Sequence, residues 1–199
     1  GHGFPILGKK RIKKALETTS KFLRSIEDQT LKLMNQGKSL NQVLHEVEIP
    51  NDLMELPWLT PIYDDPQFLI RMIWRRYGGW WDGEYDRLLP APRKEEALAW
   101  VELSNGIDNI ILKALEHLDK GNLKVAAQLI ETAFHADNKN DQMHDARAKI
   151  YREFSLKQSS SMGRNILNHA SMASAQGKRD LAQTEDYRSL ISSGVSFLA

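Results

Sequence analysis

The sequence contains no cysteine, which excludes disulfide bridges and thiolate metal sites. That suits a reducing compartment and equally a periplasmic one, so cytoplasmic and periplasmic locations both stay open. No apolar run approaches the roughly 20 residues of a membrane-spanning helix, so no integral membrane segment is expected. The start, Gly1-His2-Gly3-Phe4-Pro5, lacks the basic and apolar stretches of a signal peptide and lacks Met, which points to a partial or processed chain. No segment alternates apolar and polar residues with period two, so little or no sheet is expected. Also missing are the HExxH and HxHxDH spacings, a glycine-rich phosphate loop joined to a strand, and a serine elbow. Charge of one sign is lacking overall, since the net charge is +1. The exception is the stretch to residue 24, where Lys9, Lys10, Arg11, Lys13, Lys14, Lys21 and Arg24 stand against the single acid Glu17. A solvated helix face accounts for that run most simply, and a nucleic-acid or membrane surface is the sharper alternative.

What remains is a 199-residue chain, 41% hydrophobic and 27% charged, the balance of a soluble globular protein. Helical spacing dominates it. Ile12, Leu16, Thr19, Leu23, Ile26, Thr30 and Leu33 step by four and three along one stripe, predicting a long helix over 9–36 that stops at Gly37. At about 1.5 Å per residue it is roughly 40 Å long, enough to lie along a partner chain. Ser39 is an N-cap for a short helix through Val47. Four prolines between Pro50 and Pro66 predict an ordered loop with a helical turn near 51–56, anchored by Trp58 and Leu59. Further helices are expected over 66–77, 93–104, 107–120, 123–136, 140–156 and 161–176. The fold class is therefore all-α, a helical bundle with a long N-terminal helix. The helix, Gly121-Asn122 turn and helix at 107–136 form a tetratricopeptide-like unit in which Ala126, Ala127 and Ala133 allow close approach. One unit plus part of a second is short of the roughly three repeats that bury a continuous core. From Ser171 onward Ser, Ala, Gln and Gly predict a linker.

The chemistry-bearing residues are few. The six histidines are scattered, and most fall in helices where a lone imidazole is ordinarily a surface or capped group. His2, flanked by glycines, has an unobstructed ring that suits a ligand at a strand end. The denser signal is Trp74-Arg75-Arg76-Tyr77-Gly78-Gly79-Trp80-Trp81-Asp82-Gly83. It reads as an aromatic staple for a crossing loop, or as a pocket wall where Arg and Tyr take an anionic headgroup and Trp its apolar tail.

Tyr77-Gly78-Gly79-Trp80-Trp81-Asp82-Gly83 resembles the Tyr-x-Gly-Trp-aromatic-Asp-Gly signature of the alkyl-sulfatase dimerisation domain. Asp28-Gln29-Thr30-Leu31 with Leu33-Met34-Asn35-Gln36-Gly37 is similar to that family's "HDQT…LMNQG" helix end. Gly121-Asn122 through Phe134-His135-Ala136-Asp137 is similar to its "GDYRWAA…FADP" unit. The resemblance spans roughly residues 2–157. It implies that residues 1–8 close a metallo-β-lactamase-fold catalytic domain, that 9–170 form the helical dimerisation domain, and that 171–199 lead to a sterol-carrier-like domain. It also implies a homodimer, two zinc ions in the parent enzyme, and hydrolysis of an anionic sulfate ester by metal-activated water. His2 would be a metal ligand and Tyr77 a substrate-binding group. A single ligand does not hold zinc, so this chain alone is expected neither to retain the metal nor to hydrolyse esters. Gly3-Phe4 and Glu84-Tyr85 depart from the family's His-Trp and Asn-Pro at the matching places. The rival expectations are a tetratricopeptide-like adaptor that binds peptides and, more remotely, a binder of nucleic acid or membrane through residues 9–24.

Overall fold

A computed structural model describes residues 5–176, and these form nine α-helices, one 3-10 turn and no strand. The chain is all-α, as its periodicity requires. His2 lies outside the described residues, as do residues 177–199. The described part divides into two compact units. Unit 1 holds the residues up to Pro90 together with Ser159–Met162, and unit 2 holds Ala91–Gln158 together with the residues from Gly163 onward.

Unit 1 is built on α1 (Lys9–Asn35), which packs on α2 (Leu40–Glu46) and α4 (Pro66–Gly78); α3 (Asn51–Met54) is a single turn between them. The helix starts are written in side chains that accept orphan backbone amides. Ser39 and Gln42 form a reciprocal capping box, with the Gln42 amide at 3.4 Å from Ser39 Oγ and the Ser39 amide at 2.9 Å from Gln42 Oε1. Asp65 accepts the Gln67 amide at 2.8 Å, and Pro66 at the first position presets the helical φ. The core joins Phe22 and Ile26 of α1 to Val43, Val47, Leu53, Ile70 and Trp74. Trp58 adds polar anchorage, its indole N–H donating to Thr18 Oγ at 2.9 Å. Gln29 clamps the segment after α2 from both sides: its amide nitrogen donates to the Glu48 carbonyl, and its oxygen accepts the Glu48 N–H, each at 2.9 Å.

The α1 stripe does not behave uniformly. Ile26 and Thr30 are buried, but Ile12, Leu16 and Leu23 are exposed, Leu16 to 67%. The helix turns Ala15 and Phe22 inward instead. The stripe reads as one line in sequence because helical spacing ignores where the neighbouring helices end.

Unit 2 contains α5 (Arg93–Leu103), α6 (Ile107–Asp119), α7 (Leu123–Ala136), α8 (Asp141–Leu156) and most of α9 (Ser161–Ala175). Helix α6 ends in a paired cap: the Asn122 N–H reaches the His117 carbonyl at 2.8 Å and the Gly121 N–H reaches Leu118 at 2.9 Å. That cap needs a left-handed residue, which Gly121 supplies at φ +77°. Helix α7 packs on α5, α6 and α8. Ala126, Ala127 and Ala133 are buried beside Ile110, Ala114 and Ile130, the close approach the small side chains permit. Helix α9 continues to Ala175 with Ser171, Ala173 and Ser174 buried, so the polar composition from Ser171 begins inside a packed helix.

Candidate functional site

The aromatic signature lies wholly in unit 1, and the fold divides it in two. Its inner half is a staple. The Trp74 indole N–H donates to the Trp81 carbonyl at 2.9 Å, and the Trp81 indole N–H donates to the Glu84 carbonyl at 3.3 Å. Asp82 does three things: its carbonyl accepts the Leu40 amide at 2.8 Å, Oδ1 accepts the Glu84 amide at 3.0 Å, and Oδ2 pairs with Arg87 at 3.5 Å. Gly83 has φ +85°, and a Cβ there would come to 3.1 Å from the Ser39 backbone. These bonds fix the loop after α4 to the start of α2.

The outer half of the signature faces away. Trp80 is 80% exposed, and Tyr85 is comparably open while its ring leans on Trp81 at 5.7 Å. Tyr77, the sequence-predicted substrate-binding residue, ends α4 with its ring half exposed. Its hydroxyl donates to Glu27 Oε1 at 3.0 Å, and the Arg76 guanidinium lies 5.5 Å from its ring centre. Beside them α1 and α4 form an open cleft of about 220 Å³, floored by Leu23, Ile26, Leu69 and Ile73 with Met72 on its wall. An apolar floor with Arg76 and Tyr77 at one end has the polarity pattern of a site for an amphiphile with an anionic head. Glu27 stands at the same end, so an anion at Tyr77 must displace that carboxylate from the phenol proton.

A second constellation, in unit 2, was not anticipated from the sequence. The Arg147 Nε donates to Glu131 Oε1 at 2.6 Å, and its Nη1 donates to the Ala170 carbonyl and Ser174 Oγ, both at 3.0 Å. The guanidinium lies 4.4 Å from the Phe134 ring centre and 5.1 Å from that of Tyr151. His144 is buried; its Nε2 meets the Asn138 carbonyl at 2.8 Å and its Nδ1 meets Ser174 Oγ at 3.0 Å. A carbonyl only accepts, so Nε2 carries a proton. Burial pushes the Tyr151 phenol above its ordinary range, reinforced by the Glu131 charge and the hydrogen bond to it, with Arg147 opposing. A cavity of about 190 Å³ adjoins the group, with His135 and His169 also on its wall. Because Glu131 neutralises Arg147 and the imidazole is engaged at both nitrogens, the arrangement is suited to holding α9 on α8 rather than to binding an ion. The only sequence sign of it is a run of polar residues, Ser171, Ser174 and His144, on helix faces that turn inward.

Among the described residues no group of three or more His, Asp or Glu could hold a metal ion, and no helix is long and apolar enough to cross a membrane. The donor set for zinc is therefore not present in the described part of the chain.

The sequence profile of the family described as alkyl sulfatase dimerisation matches residues 39–177, and the chain belongs to that family. Among its relatives is a linear primary-alkylsulfatase of Pseudomonas sp., 29% identical over 152 residues that make up 76% of this chain and 29% of that protein. An alkyl/aryl-sulfatase of Saccharomyces cerevisiae is 27% identical over 177 residues, 88% of this chain and 27% of its own length. The structure of a stereoselective inverting sec-alkylsulfatase from Pseudomonas sp. superimposes with a TM-score of 0.82 at 25% identity, over 88% of this chain and 28% of that one. The chain thus spans under a third of the length of the relatives it matches.

Proposed function

We propose that this chain is the assembly segment of a zinc-dependent, alkyl-sulfatase-like hydrolase: it pairs two copies of the parent protein as a homodimer and contributes to the wall of the substrate pocket. The observation that carries the reading is the family match over residues 39–177. Relatives named as alkylsulfatases support sulfuric ester hydrolysis as the parent reaction. In that reaction zinc would supply a water acidic enough to act as a nucleophile near neutral pH. The described residues lack a ligand set for it, so the ions would be held by the catalytic domain, with His2 as the contribution from this chain.

The part played by the described residues is binding and placement. The cleft of Leu23, Ile26 and Leu69 takes an alkyl chain, and Arg76 with Tyr77 faces the sulfate once Glu27 releases the phenol. The staple of Trp74, Trp81 and Asp82 keeps that end of α4 rigid. Sedimentation equilibrium on the 199-residue chain tests the assembly claim: a dimer is expected at tens of micromolar, and a strict monomer there would sink it. Hydrolysis of dodecyl sulfate by the parent polypeptide, lost on chelation and regained with zinc, tests the rest. Tyr77→Phe in that polypeptide is expected to raise KM more than it lowers kcat, and an unchanged KM would remove Tyr77 from the site.

A further inference from the structure

Among the helices with exposed apolar side chains, α1 and α5 each leave at least three of them open, and the charges beside them are opposite. On α1, Ile12, Leu16 and Leu23 are exposed, and Lys9, Lys13 and Arg24 are exposed with them. At about 100° per residue the three apolar residues fall within about 40° of one another. The three basic residues lie on the flank of that stripe, away from buried Ala15 and Phe22. Lys13 pairs with Glu17 at 3.6 Å in the open; Lys9 has no acid within one turn, and Arg24 has exposed Asp28 four residues on beside Glu27, which the Tyr77 hydroxyl already holds.

Helix α5 shows the reverse sign. It buries only Ala97, with Val101 half-buried, while Leu98, Trp100 and Leu103 are exposed, Leu103 to 75%. The same wheel places Glu95, Glu96 and Glu102 on the outward half with Leu98 and Leu103, and Trp100 on the flank nearer Ala97. Arg93 and Lys94 turn toward the Ala97 side. A helix apolar on several faces is ordinarily covered on several faces.

We infer that α1 of one copy docks against α5 of a second copy, so that a two-fold dimer makes the same basic-to-acidic contact twice. The inference rests on the homodimer reading above and adds the surfaces. A two-fold interface is self-complementary: if one patch meets another on the partner, the reciprocal contact forms as well. Pairing α1 with α1 would set like charges together, and pairing α5 with α5 would do the same. Pairing α1 with α5 covers both apolar faces and matches both charges. Charge complementarity of this kind selects the partner and the register more than it sets the affinity.

Charge reversal separates this arrangement from other dimers. One variant carries Lys9→Glu, Lys13→Glu and Arg24→Glu; the other carries Glu95→Lys, Glu96→Lys and Glu102→Lys. All six side chains are exposed, so both variants are expected to keep wild-type helicity by circular dichroism. If the second fails to fold, Trp100→Ser with Leu103→Ser replaces it as the probe of α5. Each variant alone sets like charges across both contacts and is expected to sediment as a monomer at tens of micromolar, where wild type is a dimer. An equimolar mixture restores opposite charges at both contacts and is expected to return to dimers, with the recovery weakening as salt is added. A variant that stays dimeric alone, or a mixture that stays monomeric, overturns the α1–α5 pairing while a dimeric wild type keeps the homodimer reading. A monomeric wild type overturns both. If that monomer also co-sediments with phosphatidylglycerol vesicles in low salt, the α1 face belongs to a lipid surface.

Discussion

Unit 1 closes on a largely apolar core and ties its loops down with indole and amide hydrogen bonds near the surface, whereas unit 2 surrounds an apolar helix pair with a sequestered Arg–Glu–Ser–His group. The difference sets how each unit fails. In unit 1 a lost bond leaves a neutral group that water can reach, at a cost of about 1 kcal/mol. In unit 2 the loss of Arg147 leaves the Glu131 carboxylate, 26% exposed, without its cation, and the cost is larger.

The sharpest way to break that contrast is Arg147→Ala, which frees Glu131 and two attachments of α9. A loss of about 3 kcal/mol in urea unfolding is expected, with faster amide exchange confined to α9. A loss below about 1 kcal/mol would mean the cluster is as replaceable as a surface pair. In unit 1 the largest effect is expected from Gly83→Ala. The positive φ and the 3.1 Å approach to Ser39 both oppose a Cβ, and about 2 kcal/mol should be lost, accompanied by a change in Trp81 fluorescence.

Alkaline titration sharpens the comparison further. The Tyr151 phenol ionises above its unfolded value of 10.0, so beyond about pH 10 the unfolded chain sheds a proton that the folded chain keeps. Stability present below that pH is lost as pH rises through it. Tyr151→Phe is expected to flatten this decline, read as Tm against pH; an unaltered slope would assign the decline to other groups. The smallest effect is a gain. Thr30 is fully buried and its hydroxyl has no partner. Thr30→Val keeps the shape and removes the orphan oxygen, which should add about 1 kcal/mol to unit 1; a fall in Tm would show that the hydroxyl is satisfied in solution.

Most of the helix ends were legible in the sequence because caps are local. Ser39 and Gly121, both marked in the sequence, act on amides or carbonyls within a few residues, as does Asp65, so the expected spans differ from the observed ones by a residue or so. The staple half of the aromatic signature was one of two readings, and Trp74 and Trp81 settle it through bonds to carbonyls three and seven residues away. Two features were out of reach. The Arg147 cluster joins residues 131, 147 and 174, and only packing brings those together. The divided fate of the α1 stripe depends on how far α4 extends along it, a length that α1 does not encode. Tyr77, expected from the sequence to bind substrate, lies at the cleft, and its Glu27 partner lies fifty residues away, beyond the reach of local spacing.

The Gln29 clamp makes one side-chain amide behave as a stretch of neighbouring strand, offering a donor and an acceptor to the same residue. Spontaneous hydrolysis of that amide to a carboxylate keeps its outline but turns the donor into a second acceptor facing the Glu48 carbonyl. Ageing of the polypeptide at this position would thus loosen the joint between its first two helices without altering a single apolar contact.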